Sequence, residues 1–461
     1  MAAIADEARL RPDVSGRVIT PADPAYDDAR RVWNGMIDKR PRLIVRAASP
    51  ADVAPTIAFA CETGLPLAIR GGGHNVAGNG TVDDGIVLDL GLLNVVDVDP
   101  ERRLVRVQAG ATLADIDAAT EPFDLAVPIG VVSGTGIGGL TLGGGVGWLV
   151  RPYGLTIDNL ESAEVVLASG DAVRASETEN PDLFWGLRGG GGNFGVATSF
   201  TFRAHHLDHD VFAGTLIYPR TRWAEALRRY VEWTAGVPDE MTTLVTFMVP
   251  PPDWELGTEV LMFLGFAWAG PDRAAGESVL GRLQAACPPD VAVLDPTRWR
   301  AFQSAFDAAM PVPSRAYWRN HSFDRFDEAM IDALVEHCGS QTMVGTAADL
   351  HHMGGAYGRV AEHATAFPNR AAQFWLNMYG FWADAADDEA GTAWVKGTSE
   401  AMRPFAMAGQ YVNFLGADAA DPRAKALAAY GPAKLERLMA LKRRYDPENL
   451  FRINHNIPPA G

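Results

Sequence analysis

Cysteine is scarce in this chain. Its 461 residues hold three, Cys61, Cys287 and Cys338. They lie far apart with no C-x-x-C spacing, which excludes a disulfide framework and leaves buried structural thiols as the reading. Positive charge is in deficit as well: 40 Lys and Arg face 57 Asp and Glu, a net charge of -17. Such a balance repels nucleic acid and anionic membranes as partners. An apolar leader is missing, because Asp6, Glu7 and Arg9 stand where a secretory signal would need one; the expectation is a cytoplasmic protein. Residues 125–150 carry no charge and are long enough to span a bilayer. Yet Gly134, Gly136, Gly138, Gly139, Gly143, Gly144, Gly145 and Gly147 fall within them, which makes a regular isolated helix costly. A buried loop system wrapped around a ligand fits that composition better.

What is present is the material of a large globular protein: 48% hydrophobic and 21% charged residues, in a chain too long for one ordinary core. A helix is expected over 25–36, a strand over 42–47, a helix over 50–63 capped by Ser49 and ended by Gly64, and a strand over 67–70. That last strand delivers the chain into residues 70–80, RGGGHNVAGNG. Three consecutive glycines let successive amides point into one concavity, suited to the oxygens of a pyrophosphate, with His74 held beside it. The spacing is not the G-x-G-x-x-G dinucleotide fingerprint, and strand patterns over 86–90, 95–97 and 104–107 follow where a Rossmann fold needs a helix. Thr112 caps a further helix. A hairpin is expected around Ser169, Gly170 and Asp171, and a third glycine cluster covers 189–192.

Near residues 205–210 the character changes. Amphipathic helices over 221–235, 272–286, 327–338 and 388–402 alternate with strands over 244–249, 260–267 and 374–382. This predicts one sheet covered on one face by helices, its other face meeting the first domain or a ligand between the two. A final helix is expected near 434–444. On the strand over 374–382, alternation puts Trp375, Asn377 and Tyr379 on one face and Phe374, Leu376 and Met378 on the other. The pairs His205-His206 and His351-His352 lack recognisable ligand geometry and are read as surface or pocket histidines, with no metal site.

Five stretches together carry a family resemblance: RGGGHN at 70–75, GGLTLGGGVGW at 138–148, YGLTIDN at 153–159, NPDLFWGLRGGGGNFGV at 180–196, and the closing 445–458. In this order they resemble the berberine-bridge-enzyme-like FAD-linked oxidases of the vanillyl-alcohol-oxidase (PCMH-type) flavoprotein fold, over nearly the whole chain. The resemblance implies an α+β fold: a two-part FAD-binding domain of the PCMH type (1–207 and the returning 406–461) and a substrate domain (208–405) with an antiparallel sheet covered by helices. It implies FAD as cofactor, with His74 bonded to the flavin 8α-methyl carbon. A neutral imidazole is nucleophilic and the electron-poor flavin makes that carbon electrophilic. Arg70, Gly71, Gly72, Gly73, Asn75 and Gly78 would seat the pyrophosphate region. Val132, Gly134, Thr135, Gly138, Gly139, Leu142, Gly143, Gly144, Gly147, Trp148, Gly195 and Val196 would line the flavin and the adenine half. Asp158 and Asn159 read equally as turn caps or cofactor contacts, and Asn454 and Asn456 would approach the isoalloxazine.

Departures from the family pattern matter as much. Relatives with a second flavin link carry Gly-Val-Cys where this chain has Gly130, Val131 and Val132, so a single link through His74 is expected. Leu140 replaces a family histidine, and Thr135 stands where a valine or leucine tunes oxygen access. Tyr411, Val412 and Asn413 resemble the Tyr-x-Asn motif that presents a phenolate base, although no lysine accompanies it and a core tyrosine with a satisfied hydroxyl is the competing reading. Tyr153 matches a tyrosine that reaches the active site in relatives, or else packs at a loop end. Arg370 reads as structural. Trp318, Trp375, Asn377 and Tyr379 would form the substrate wall. The implied function is oxidation of an alcohol, amine or sugar hydroxyl of a small organic substrate, with molecular oxygen as acceptor, in a monomer or homodimer. An oxidative cyclase or dehydrogenase, and a flavin-containing natural-product binding or resistance protein, are the alternatives.

Overall fold

Asp52 organises the first layer of the fold. Its carboxylate accepts hydrogen bonds from the amides of Ser15 (2.7 Å), Gly16 (3.1 Å), Ala48 (2.8 Å) and Ser49 (3.1 Å), pinning the N-terminal segment to the start of the helix Val53–Thr63. Gly64, at φ +67°, ends that helix in the left-handed conformation a Cβ disfavours. The helix is the crossover of a four-stranded sheet made of β1 (Arg17–Ile19), β2 (Leu43–Arg46), β3 (Leu67–Arg70) and β4 (Ile86–Asp89), in the order β1-β2-β4-β3. Only β1 runs antiparallel to its neighbour. The computed structural model describes residues 9–207, 210–294, 296–305, 307, 314–416 and 421–460. Asp6, Glu7 and the junction expected at 207/208 thus fall wholly or partly outside the described residues.

A second, antiparallel sheet joins β5 (Val96–Asp99), β6 (Leu104–Gln108), β8 (Leu160–Val166), β9 (Ala172–Ser176) and β10 (Val196–Arg203), in the order β5-β6-β10-β8-β9. A short ribbon pairs β7 (Leu125–Ala126) with β11 (His205–His206). The two larger sheets share one core that includes Val45, Ile57, Leu88, Val107, Phe200 and Phe202. The glycine-rich loops emerge from its edge.

The third sheet is antiparallel throughout. It contains β12 (Asp210–Pro219), β13 (Met241–Met248), β14 (Leu261–Trp268), β15 (Val291–Val293), β16 (Pro296–Arg298), β17 (Arg315–Phe323), β18 (Thr346–His352) and β19 (Phe374–Trp382). The order is β15-β12-β14-β13-β18-β19-β17, with β16 also on β12. Helices Trp223–Thr234, Arg273–Ala286, Glu328–Cys338 and Asp388–Met402 cover one face, where Val245, Phe247, Ala348, Leu350, Leu376 and Met378 are buried. The fold is α+β, as the family resemblance implies. No helix among the described residues is long and apolar enough to cross a membrane.

Two segments differ from expectation. The helix expected over 25–36 spans only Tyr26–Ala29, because the chain beyond it makes ties elsewhere: the Trp33 amide donates to the Gly73 carbonyl (3.0 Å), and the Asn34 amide group donates to the carbonyls of Val76 (2.7 Å) and Ala316 (3.0 Å). The last helix is longer, Pro422–Tyr445, and kinks at Gly431 ahead of Pro432. Its fully buried Lys442 pairs with Asp446 (2.6 Å) and donates to the carbonyls of Asn193 and Phe451 (both 2.9 Å). That one ammonium moors the C-terminal tail against the third glycine cluster.

Candidate active site between the glycine loops and the third sheet

The unclad face of the third sheet meets the glycine loops across one continuous cavity. On the loop side it is lined by residues from 70–76, 130–142 and 191–197; on the sheet side by Trp318, Asp349, His351 and Asn377; and it is closed by 411–414 and 451–455. The first two loops cross in direct backbone contact. A Cβ added to Gly72 would sit 2.5 Å from the Gly136 nitrogen, and one added to Gly136 would sit 2.3 Å from the Gly72 nitrogen. Gly73, at φ +68°, then turns the chain so that His74 follows into the cavity.

His74 stacks on the indole of Trp33, with ring centroids 4.6 Å apart and planes at 20°. Burial pushes its imidazole down to about 4, so it is neutral around pH 7. Arg70 is also buried, but its guanidinium is committed to Asp89 at 2.9 Å and to the Arg31 carbonyl at 3.3 Å. Asn75 turns its side-chain oxygen onto the amides of Ala77 (3.1 Å) and Asn79 (3.2 Å), shaping the loop.

Across the third sheet a row of polar residues lies in register: Thr246 opposite Asp349, Asp349 opposite Asn377, and Asn377 opposite Asn320. All four are buried. Thr246 donates to Asp349 at 2.7 Å, Tyr379 shares a further hydrogen bond with that carboxyl, and the Trp318 indole donates to Asn377. Burial raises the Asp349 carboxyl to about 7 against the lowering pull of those two hydroxyls. His351, two residues on, faces the same cavity, while His352 points to the opposite face against Arg151 and Phe374. Strand alternation therefore separates the histidine pair, and among the described residues no cluster suited to a metal occurs.

Tyr411 closes the cavity between loop and sheet. Its hydroxyl oxygen accepts from the Gly145 amide (3.0 Å) and the Asn413 side chain (2.9 Å). Burial outweighs both bonds and pushes the phenol up to about 12. Asn413 also donates to the carbonyls of Gly139 and Leu140, both at 3.2 Å.

Eighteen of the residues expected at the site do line this cavity: Arg70, Gly71, Gly72, Gly73, His74, Asn75, Val132, Thr135, Gly138, Gly139, Leu142, Gly195, Val196, Asn454, Trp318, Asn377, Tyr411 and Asn413. The others stand off it, each for a visible reason. Gly134 borders a separate outer cleft behind the His74 loop. Gly78 packs on Ile37, Gly143 on Asn413, Gly144 on Phe367 and Tyr411, and Gly147 on the Ile129 carbonyl. Trp148 packs against Phe302. Asp158 forms a buried two-bond ion pair with Arg370, both contacts 2.8 Å, and accepts from the Leu155 amide at 2.8 Å. Asn159 bonds the Tyr153 carbonyl and His205. Tyr153 stacks on His205 at 3.9 Å instead of turning inward. Trp375 packs on Phe367 and Tyr411, Tyr379 on Trp318, and Asn456 lies in the tail beside the lining. Sequence reasoning missed Asp349 and His455; the signal for the first was an acidic residue two positions before His351, hence on its face.

The lining suits a cofactor with a flat ring and a polar tail. The Asn454 side-chain Oδ1 and the His455 Nε2 are buried without partners where the C-terminal segment lines the cavity, and unpaired buried polar atoms of this kind call for a ligand. Gly139 and Gly192 border open space that a Cβ would occupy. These groups fit FAD, whose phosphates the glycine loops would hold and whose ring would lie near His74, Trp318 and Tyr411.

Comparison with known proteins agrees. Residues 41–176 match the FAD binding domain model, and residues 410–458 match the model described as berberine and berberine like. The FAD-linked oxidoreductase YvdP of Bacillus subtilis is 30% identical, over 97% of this chain and 99% of its own. Among solved structures, 6-hydroxy-D-nicotine oxidase of Arthrobacter nicotinovorans superposes with a TM-score of 0.86 at 27% identity, covering 97% of this chain and 98% of its own. The xylooligosaccharide oxidase of Myceliophthora thermophila does so with a TM-score of 0.88 at 25% identity, covering 99% and 100%. With sequence, fold and cavity in agreement, the chain belongs to the berberine-like FAD-linked oxidoreductases.

Proposed function

We propose that this protein is an oxidase that removes hydride from the carbon bearing a hydroxyl or amine in a small or medium-sized, natural-product-like molecule, with molecular oxygen as the final acceptor. The observation that carries this reading is the single cavity with two unlike walls. One wall is glycine-rich loop and a neutral imidazole, and the other is a buried polar row that contains a carboxyl. FAD supplies the hydride acceptor. The chain's own residues supply binding, exclusion of water and a proton acceptor.

We assign proton acceptance to Asp349. A base works best when its pKa lies near the working pH; Asp349 is pushed up to about 7, whereas Tyr411 is pushed up to about 12. The Tyr411 oxygen already accepts two hydrogen bonds and has no free cation among the lining residues, since Arg70 is paired. Tyr411 and Asn413 then serve to hold the 139–145 loop. Asn377 and His351 supply polar contacts that orient a hydroxyl or amine.

A single covalent link through His74 is part of the same reading. Its neutral nitrogen is a competent nucleophile, and none of the three cysteines lines the cavity: Cys287 and Cys338 are buried in the core and Cys61 is exposed. Two experiments test the reading. Anaerobic titration against a panel of alcohols, aminoalcohols and oligosaccharides should bleach the flavin with one of them, and admission of air should restore it with peroxide formed. A reduced flavin that persists in air would assign a dehydrogenase instead. Acid precipitation should leave the yellow colour with wild-type protein and release it from His74→Ala.

A further inference from the structure

Trp33 precedes the glycine loop by some forty residues, yet it supplies a flat surface under His74. Three observations define its place. Its ring lies nearly parallel to the imidazole, at 4.6 Å and 20°. Its amide donates to the Gly73 carbonyl at 3.0 Å, fixing it to the residue before His74. It also packs against Phe381 (5.5 Å, 89°) and Trp318 (6.0 Å, 55°) on the third sheet. The indole is 5% exposed. The next residue locks the arrangement: Asn34 bonds Val76 in the loop and both the amide and carbonyl of Ala316 in β17.

The loop holds the imidazole through one hydrogen bond, to the backbone of His74 itself. The two residues before His74 are glycines, which offer no side chain, and Gly73 holds a left-handed conformation that only the local backbone sustains. An imidazole on such a loop samples several rotamers unless a neighbouring surface removes them. Among the described residues, Trp33 is the aromatic ring stacked on it.

We propose that Trp33 is the positioning residue for covalent attachment of FAD: its indole plane fixes the His74 imidazole in one rotamer and shields it from water, so that a ring nitrogen is presented into the cavity. The inference rests on the reading that His74 carries the flavin. In that attachment a C–N bond replaces one 8α C–H bond and the imidazole N–H. The two electrons and two protons released pass to molecular oxygen, giving hydrogen peroxide. Trp33 touches none of the reacting atoms and acts through His74.

The test compares wild type, Trp33→Phe, Trp33→Leu and His74→Ala as full-length proteins given FAD in air. Bound flavin is measured before acid precipitation and retained flavin after it, over time. Trp33→Phe keeps a flat face and is expected to link at close to the wild-type rate. Trp33→Leu keeps apolar bulk without the plane; its linkage should slow by about ten- to a hundredfold, as misorientation of a reacting group does, while it still binds FAD as His74→Ala does. Linkage in Trp33→Leu at the wild-type rate would overturn the proposal, as would loss of linkage in a Trp33→Phe protein that still binds FAD. If wild type itself sheds all its flavin in acid, the covalent reading fails, and this inference with it.

Discussion

Gly72 and Gly136 cross so closely that neither can carry a side chain: a Cβ on either would lie within 2.5 Å of the other's backbone nitrogen. This contact ties the loop bearing His74 to the loop bearing Thr135, Gly138 and Gly139, and so sets the width of the cavity between them. Because the obstacle is backbone, it cannot swing aside as a side chain could. Gly136→Ala is therefore expected to push the loops apart, costing about 1–3 kcal/mol of stability and most of the FAD affinity. Thermal melting and flavin content per protein check both. Gly139→Ala, whose Cβ enters open space, should cost little stability while still reducing flavin content.

Asp349 gives the sharpest functional prediction. Its carboxyl titrates near 7 because burial opposes ionisation, and a base must be ionised to accept a proton. Turnover at limiting substrate should thus rise with pH through about 7 and level off above it. Asp349→Asn keeps the shape and the Thr246 bond but cannot take a proton, and should lower kcat by about 10²–10⁴-fold while abolishing that inflection. A pH–rate profile of both proteins is the measurement, and an unchanged inflection in the variant would remove Asp349 from the role.

Tyr411 is expected to behave differently. Replacing it with Phe strands the Gly145 amide, while the Asn413 side chain keeps the Gly139 and Leu140 carbonyls as acceptors; a buried donor left unpaired costs about 1–3 kcal/mol. Stability should fall by that amount, and kcat by less than in Asp349→Asn, with the pH inflection retained. A Tyr411→Phe protein that keeps its stability but loses the inflection would restore the phenol as the base.

These contrasts also mark what could be read before the fold was known. The loop at 70–75 was legible because only glycines can make such a backbone, so its chemistry is written in residue type. The strand 374–382 was legible because its aromatic alternation leaves one register. β18 was not: Thr346, Ala347, Ala348, Asp349 and Leu350 contain one β-branched residue among helix formers, and the segment is a strand only because β13 and β19 flank it on both sides. Asp349 was hidden with it. Tyr153 and Asp158 match relatives in sequence, yet His205 and Arg370, remote in the chain, decide where their side chains go. Such long-range partners leave no local signal.

Asp117 offers a test of the fold apart from the chemistry. It is 2% exposed on the helix Leu113–Thr120 and accepts from the Trp299 indole at 3.3 Å, tying that helix to the segment that follows β16. Burial pushes its carboxyl up to about 7 from 3.8. The folded state therefore holds this proton more tightly than the unfolded chain does. The resulting stabilisation is fully present below about pH 4 and is lost progressively as pH rises to about 7. Asp117→Asn keeps an acceptor for Trp299 and removes the titration. The variant should approach and then exceed wild type in stability as pH is raised across that window, the difference changing by about 2–4 kcal/mol in total. Other titrating groups are common to both proteins and cancel in the difference. Denaturant melts at several pH values provide the check: a wild-type-minus-variant difference that stays flat with pH would mean Asp117 is ionised in the folded protein.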